Sequence, residues 1–148
     1  MNAQNVINLA EALQDENTEE VKKFFANMLE GHRVEKVEDD TLILDNGIKL
    51  TMFESDQDCC ASAYGDWEIL EEAHEMGITD VEVEVEVDYS EDDYYDKHLI
   101  ITILHDNNPI VKGHGVANAG NGGYYFSTLS LRVEIPNQDT IETKLLYS

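Results

Sequence analysis

Valine and glutamate alternate without interruption over seven residues near the middle of the chain, from Val81 to Val87. A side-chain period of two is the period of a β-strand, whose successive side chains point to opposite sides. The pattern therefore predicts a strand with its valines on the core and Glu82, Glu84 and Glu86 in a row facing solvent. Two strand rises separate neighbouring carboxylates, about 6.6 to 6.8 Å, which is comparable with the separation of charges along a nucleic-acid strand.

The segments around this strand predict an α+β fold, in which two N-terminal helices precede a mostly antiparallel, twisted sheet with one short inserted helix. Apolar residues at helical spacing indicate a first helix over residues 4–14 and a second that runs from an Asn17 cap to a Gly31 cap. Residues 66–76, which contain Trp67 among many carboxylates, predict the inserted helix.

Period-two segments predict the remaining strands. The segment from His32 to Met52 is typical of a hairpin: its first arm contains Val34, Val37, Leu42 and Leu44, its second contains Ile48, Leu50 and Met52, and Asn46-Gly47 suits a type I′ turn. Later strands are expected at residues 99–104, from Ile110, at 124–135 and within the tail 137–148, with a Gly/Asn-rich connection at 113–123.

The chain length of 148 residues suits one domain with one core. We expect the helical segment 1–31 to pack on an antiparallel β-rich domain that spans 32–148 and carries the acidic helix and an acidic loop. No apolar run is long enough to span a membrane, and the pattern of a secretory signal is missing. These observations predict a cytoplasmic protein.

The chain is strongly acidic, with 32 Asp and Glu against 9 Lys and Arg and a formal net charge of −23. The excess is concentrated between Lys49 and Lys97, where 17 acidic residues and no basic residue occur. Nucleic acids and anionic membranes bind to basic surfaces, so we expect no direct binding to either. A basic protein surface is the partner that this charge favours, and self-repulsion favours a monomer or a small homo-oligomer.

The candidate partner-binding residues are acidic residues of this segment and the tyrosines beside them. Interspersed aromatic side chains, including Tyr64, Trp67 and Tyr89, would supply contacts that charge alone cannot. Solubility is the alternative explanation for such a surface. The candidates are Glu68, Glu71, Glu72, Glu75, Glu82, Glu84, Glu86, Asp88, Glu91, Asp92, Asp93, Tyr94, Tyr95 and Asp96.

The two cysteines, Cys59 and Cys60, are adjacent. A vicinal pair forms a strained disulfide, lacks the Cys-x-x-Cys spacing of zinc sites, and here lies in a negative field that disfavours a thiolate. Zinc bound by these cysteines with His74, His98 or His105 remains an alternative. We expect two small side chains near a strand end, no catalytic residue, no metal and no cofactor.

Two short elements of the sequence are distinctive: Gln57-Asp58-Cys59-Cys60, and the segment from Asn121 to Ser127. Together they resemble an uncharacterised domain family that is frequent in bacteriophage genomes. The first resembles the family's Gln/Gly-Asp-Cys-Cys element. The second resembles a late Asn-Gly-Tyr-Tyr-Ser element, with Gly123 and Phe126 as additions. The resemblance covers roughly Val34 to Glu134 and implies a phage origin and a shared fold. The matching residues are Asp58, Cys59, Cys60, Asn121, Gly122, Tyr124 and Tyr125.

These features predict a non-enzymatic, phage-encoded inhibitor. Its acidic surface would imitate a nucleic-acid backbone and occupy the nucleic-acid-binding surface of a host defence protein, such as a CRISPR effector nuclease, in the host cytoplasm. Two alternatives belong to other classes. One is a protein that sequesters a nucleotide-like ligand through the Gly-rich connection 113–123, whose backbone amides would hold a phosphate. The other is a metal-stabilised structural accessory protein.

Overall fold

The computed structural model of the chain describes residues 18–57, 61–70, 77–89, 95–119 and 127–147. Most of these residues lie in strands. The elements in chain order are α1 (Thr18–Leu29), β1 (Val34–Glu38), β2 (Thr41–Leu44), β3 (Lys49–Gln57), β4 (Ala63–Ile69), β5 (Asp80–Tyr89), β6 (Tyr95–His105), β7 (Asn108–Ala119), β8 (Ser127–Glu134) and β9 (Ile141–Tyr147).

The strands form two antiparallel sheets. The five-stranded sheet has the order β1-β2-β3-β8-β9 and the four-stranded sheet has the order β4-β7-β6-β5. The prediction of an α+β fold with two N-terminal helices and one sheet is therefore wrong, because the described chain is mostly β with two sheets and one helix. Alternation along a strand shows which of its faces is apolar. It does not show whether a helix or a second sheet packs against that face.

The second predicted helix is confirmed as α1, and Gly31 follows it in the left-handed conformation with φ 85°. The first predicted helix, residues 4–14, lies outside the described residues. The inserted helix is wrong over residues 66–69, which belong to β4, whereas its remainder at 71–76 lies outside the described residues. In β4 the side chains that face the core alternate with exposed ones, and Gly65 occupies one core position. A glycine at that position hides the period of two.

The two sheets face each other across one apolar cluster, to which α1 contributes Val21, Phe25 and Leu29. The sheets approach closely at two glycines: a Cβ atom built on Gly65 would lie 2.7 Å from Met52 Cβ, and one on Gly115 would lie 2.4 Å from Leu129 Cδ2. Close approach of this kind needs glycine, because interiors are packed too densely to admit another carbon atom. Within the described ranges no helix has the length and apolarity that crossing a lipid bilayer requires.

The predicted hairpin is confirmed as β2 and β3, but its first arm is shorter than predicted, since residues 34–38 form the separate strand β1, and its type I′ turn is wrong. Gly47 has a positive φ of 87° and Asn46 does not, whereas a type I′ turn requires both. The loop Asp45–Gly47 is instead a three-residue loop, in which the Gly47 amide donates to the Leu44 carbonyl at 3.0 Å. Asn46 Oδ1 accepts a further hydrogen bond from the Ile48 amide at 3.2 Å, which stabilises this alternative.

The turn from β6 to β7 at Asp106 and Asn107 has positive φ values of 48° and 69°, as a two-residue type I′ turn requires. Strand β7 then continues to Ala119, so the predicted Gly/Asn-rich connection is wrong over residues 113–119, and its remainder lies outside the described residues. The strands expected at 99–104 and in the tail are confirmed within β6 and β9. The strand expected at 124–135 is confirmed as β8 over 127–134.

A β-bulge in β7 decides which side chains of that strand face the core. Ile103 pairs with Val111 and Leu104 with Pro109, so Ile110 is an extra residue in β7. Beyond this residue the register places Gly113 and Gly115 on the core side and His114 on the solvent side. If Ile110 itself paired with Ile103, as an unbulged register would require, every side chain of β7 past this point would point to the opposite face.

Candidate functional site

The alternating strand β5 is confirmed, and its three glutamates stand in one row. Glu82, Glu84 and Glu86 are exposed on the outer side of the four-stranded sheet, where β5 is an end strand. The valines face inward and become more exposed toward the end of the strand: Val81 is fully buried, whereas Val87 is 40% exposed. The row is thus held by a regular strand whose inner face contributes to the core.

A second acidic row lies on β4, at the other end of the sheet, and the strand pairing places it level with the row on β5. Glu84 pairs with Ile100, Ile100 with His114, and His114 with Asp66. Two residues further along the strands, Glu82 pairs with Thr102, Thr102 with Lys112, and Lys112 with Glu68. Carboxylates therefore occupy both end strands, β5 and β4. We call the outer side of this sheet the acidic face, with the carboxylates Asp66, Glu68, Glu82, Glu84, Glu86 and Asp96.

Positive charge is scarce on the acidic face. Among the described residues of the four strands, Lys112 is the one Lys or Arg that points outward with the carboxylates. Lys97 of β6 points to the inner side and is half-buried, and this burial lowers its pKa. Asp96 accepts a hydrogen bond from Asn118 Nδ2, which fixes that carboxylate on the face.

A histidine pair lies at the centre of the acidic face. His98 in β6 pairs with Val116, so His114 is its diagonal neighbour in β7. Such neighbours are within reach of each other's rings. His98 Nδ1 lies 2.9 Å from His114 Nε2, and the ring planes differ by 16°. Burial and the neighbouring His98 lower the pKa of His114, whereas Asp66 and Glu86 oppose this change.

The outer side of the five-stranded sheet has a different composition. It carries four of the chain's basic residues, several of them paired: Lys36 Nζ lies 2.8 Å from Glu38 Oε2, and Arg132 Nε lies 3.0 Å from Glu142 Oε1. The guanidinium of Arg132 also lies 4.6 Å from the centre of the Phe53 ring. The charged residues on this side are Lys36, Lys49, Arg132, Lys144, Glu38, Asp56, Glu134 and Glu142.

Several predicted partner-binding residues meet on the acidic face, although they come from distant parts of the sequence. Tyr64 joins them and is 63% exposed. Trp67 was expected at the partner surface; that expectation is wrong, because its side chain is 5% exposed and packs over Gly113 in the core. Asp88 lies in β5 and Tyr95 in β6. The residues brought together are Glu68, Glu82, Glu84, Glu86 and Asp96, whereas Glu71, Glu72, Glu75, Glu91, Asp92, Asp93 and Tyr94 lie outside the described residues.

The residues that carry the family resemblance lie outside the described residues: Asp58, Cys59, Cys60, Asn121, Gly122, Tyr124 and Tyr125. Their described neighbours are Gln57 and Ser127, which are partners across β3 and β8. The hydroxyl of Ser127 is buried and lies within hydrogen-bonding distance of the carbonyl oxygens of Ser62 and Asn118, at 2.9 and 2.7 Å. Ser127 therefore joins the end of one sheet to the other, which is a structural role.

The alternatives based on metal or phosphate gain no support from the described residues. His98 and His105 lie seven residues apart on β6, about 23 Å at the usual strand rise, and so cannot share an ion. No group of three or more metal-binding side chains occurs in the described part of the chain. Gly113 and Gly115 lie in a strand with ordinary φ values and do not form the nest of amides that a phosphate would need.

The histidine pair and Asp66 were not among the predicted partner-binding residues. Their positions follow from the bulge at Ile110 and from the pairing of β4 with β7, which no local pattern reveals.

A comparison with family models matches residues 16–131 to a family described as Domain of unknown function (DUF7448). No curated protein and no solved structure matches the chain.

Proposed function

Because the chain belongs to the DUF7448 family of domains of unknown function, we propose a function from its structure: the acidic face binds a basic protein surface in competition with nucleic acid. The observation that carries the proposal is the pair of carboxylate rows on β5 and β4. Three interstrand spacings separate these end strands, about 14 Å, and about 6.7 Å separates neighbours along each row. Two lines of regularly spaced negative charge are also what the two phosphate strands of a duplex present.

The scaffold supports this function because the backbone that carries the carboxylates needs no ordering when the partner arrives. Each carboxylate stands on a strand whose opposite face packs in the core, so the entropy lost on binding is that of the side chains and not of the backbone. One outward lysine, Lys112, against six carboxylates leaves the face strongly negative, which accelerates the approach of a cationic partner. Tyr64 adds an exposed aromatic ring beside the β4 row.

The partner that we propose is a nucleic-acid-binding enzyme of a host cell, such as a defence nuclease. The resemblance to bacteriophage domains supports this class of partner. The protein would act without catalysing a reaction, since occupation of the basic groove is enough to exclude nucleic acid.

The test is a capture of proteins from a nuclease-treated bacterial lysate on the tagged full chain, followed by elution with duplex DNA or RNA. We expect a nucleic-acid-binding protein that the oligonucleotide displaces and that high salt releases. The variant Glu82→Gln/Glu84→Gln/Glu86→Gln should lose it. The matched control Glu38→Gln/Glu134→Gln/Glu142→Gln neutralises the same number of carboxylates on the opposite side and should retain it.

Two outcomes would contradict the proposal. In one, the captured protein resists displacement by nucleic acid, which would show that the two do not compete. In the other, the two triple variants lose the partner equally, which would show that net charge acts rather than the acidic face.

A further inference from the structure

The geometry of the histidine pair shows how its protons are arranged. The ring centroids are 5.1 Å apart, and the joined nitrogens are 2.9 Å apart. These distances, with nearly parallel planes, fit two rings that lie end to end and share an in-plane N–H···N hydrogen bond. Rings stacked face over face would not bring one nitrogen of each onto this line. One nitrogen must carry a hydrogen and the other must offer its lone pair.

Either ring can be the donor, and the consequence for proton uptake is the same. Burial and the neighbouring His98 both lower the pKa of the His114 ring, which favours its neutral form. A proton added to the outer nitrogen of the donor ring leaves the N–H···N hydrogen bond in place, since a protonated ring still donates. A second proton would have to enter the accepting nitrogen, where it would face the shared hydrogen and break the bond.

The charged groups around the pair favour the uptake of that single proton. Asp66 on β4 and Glu86 on β5 both raise the pKa of His114, and Lys112 on β7 lowers it. Glu84 on β5 and Asp96 on β6 itself also lie on this side of the sheet. Every charged neighbour on the acidic face except Lys112 is therefore a carboxylate.

We propose that the His98–His114 pair is a proton-binding site that takes up one proton as a unit and, at the centre of the acidic face, weakens its attraction for a cationic partner as the pH falls. The inference rests on the proposed function, because it concerns the regulation of the same face. Histidine is the side chain whose ordinary pKa places its charge change between about pH 5 and 8, which makes the pair the element of the face suited to sense this range.

The first experiment follows the histidine ring resonances of the full chain by NMR as the pH is lowered. We expect the pair to titrate in two steps more than about one pH unit apart, as coupled groups do. The His114→Gln variant should leave a single step for His98. Titration of both rings in one step, or separate titrations that do not respond to His114→Gln, would overturn the shared site.

The second experiment measures the binding of a dodecalysine peptide to the full chain at about pH 7.5 and pH 5.8, a range centred near the histidine pKa. We expect the affinity of the wild type to fall about threefold or more, because one exposed charge interaction is altered. His98→Gln/His114→Gln should bind equally at both values. His105→Gln, a histidine at the far end of β6, is the matched control and should behave as the wild type.

The outcomes separate the two proposals. If the peptide binds at the higher pH and the double variant shows the same pH dependence as the wild type, the proposed regulation is overturned and the proposed function is not. No binding of the peptide at the higher pH would overturn the proposed function and the regulation together, whatever the NMR titration shows about proton sharing.

Discussion

Gly115 is the residue at which the two sheets have the least room. A Cβ atom at this position would lie 2.4 Å from Leu129 Cδ2 and 3.3 Å from Met52 Sδ. Both neighbours are buried in the centre of the core and belong to the other sheet. A single carbon atom added here would therefore push the sheets apart or force Leu129 out of its rotamer.

We predict that Gly115→Ala lowers the free energy of unfolding by about 1 to 3 kcal/mol. Urea denaturation followed by the fluorescence of Trp67, the one tryptophan of the chain, measures this change. Adding Leu129→Ala should recover part of the loss, so that the double variant is less destabilised than the sum of the single variants. Gly77→Ala is the control, because nothing lies within 4 Å of its added carbon. Equal stability of Gly115→Ala and the wild type would contradict the packing described here.

Elements differ in how well the sequence predicts them, and the glycines explain most of the difference. The stripe of α1 and the alternation of β5 consist of large apolar side chains, so the period is visible and both elements are confirmed. In β4 and β7 the core positions include Gly65, Gly113 and Gly115, whose place is filled by side chains from elsewhere, such as Trp67 over Gly113. The apolar period is therefore interrupted in both strands. For this reason the sequence predicts a helix over the second half of β4 and a loop over the part of β7 that begins at Gly113.

The acidic face could be predicted in part for the same reason. The row Glu82, Glu84, Glu86 depends on one strand and follows from its alternation alone. Asp66 and the histidine pair depend on which strands are neighbours and on the register of their pairing. Those are non-local properties that the order of residues within one segment does not determine.

The bulge at Ile110 gives a prediction at the scale of the element. Deleting Ile110 should remove the bulge and place Val111 directly after Pro109, where it still pairs with Ile103. His114 then stays on the solvent side and the strand keeps its register. We expect the variant to unfold cooperatively with a free energy of unfolding lower by about 2 to 5 kcal/mol, because the fully buried Ile110 side chain is lost from the core.

Circular dichroism and urea unfolding of the Ile110 deletion test this prediction. Deletion of Asp139, an exposed residue in the loop between β8 and β9, is the matched control and should leave the transition nearly unchanged. An Ile110 deletion that unfolds at the wild-type urea concentration, or one that shows no cooperative transition, would contradict this pairing.

At the scale of the whole molecule, the net charge of −23 opposes compactness. Salt screens this repulsion over about 10 Å at 0.1 M ionic strength. We predict that raising sodium chloride from about 0.02 to about 0.5 M increases the melting temperature, by about 2 to 4 °C for each kcal/mol gained. Differential scanning calorimetry measures the effect.

The melting temperatures of the two triple variants show on which side of the molecule the repulsion between carboxylates acts. Glu82→Gln/Glu84→Gln/Glu86→Gln removes like charges from one row, so at low salt it should melt above the wild type and respond less to added salt. Glu38→Gln/Glu134→Gln/Glu142→Gln removes carboxylates that lie beside lysine and arginine, so it should melt at or below the wild type. Equal increases in both variants would show that the repulsion is spread over the molecule.

Among the described residues, the difference in charge between the two outer sides sets up an electric dipole that runs through both sheets. The outer side of the five-stranded sheet, where basic residues balance carboxylates, is its less negative end, and the acidic face is its negative end. A cationic surface that approaches from any direction therefore exerts a torque on the protein before they touch. That torque turns the acidic face toward the approaching surface, so a larger fraction of encounters begins in the productive orientation.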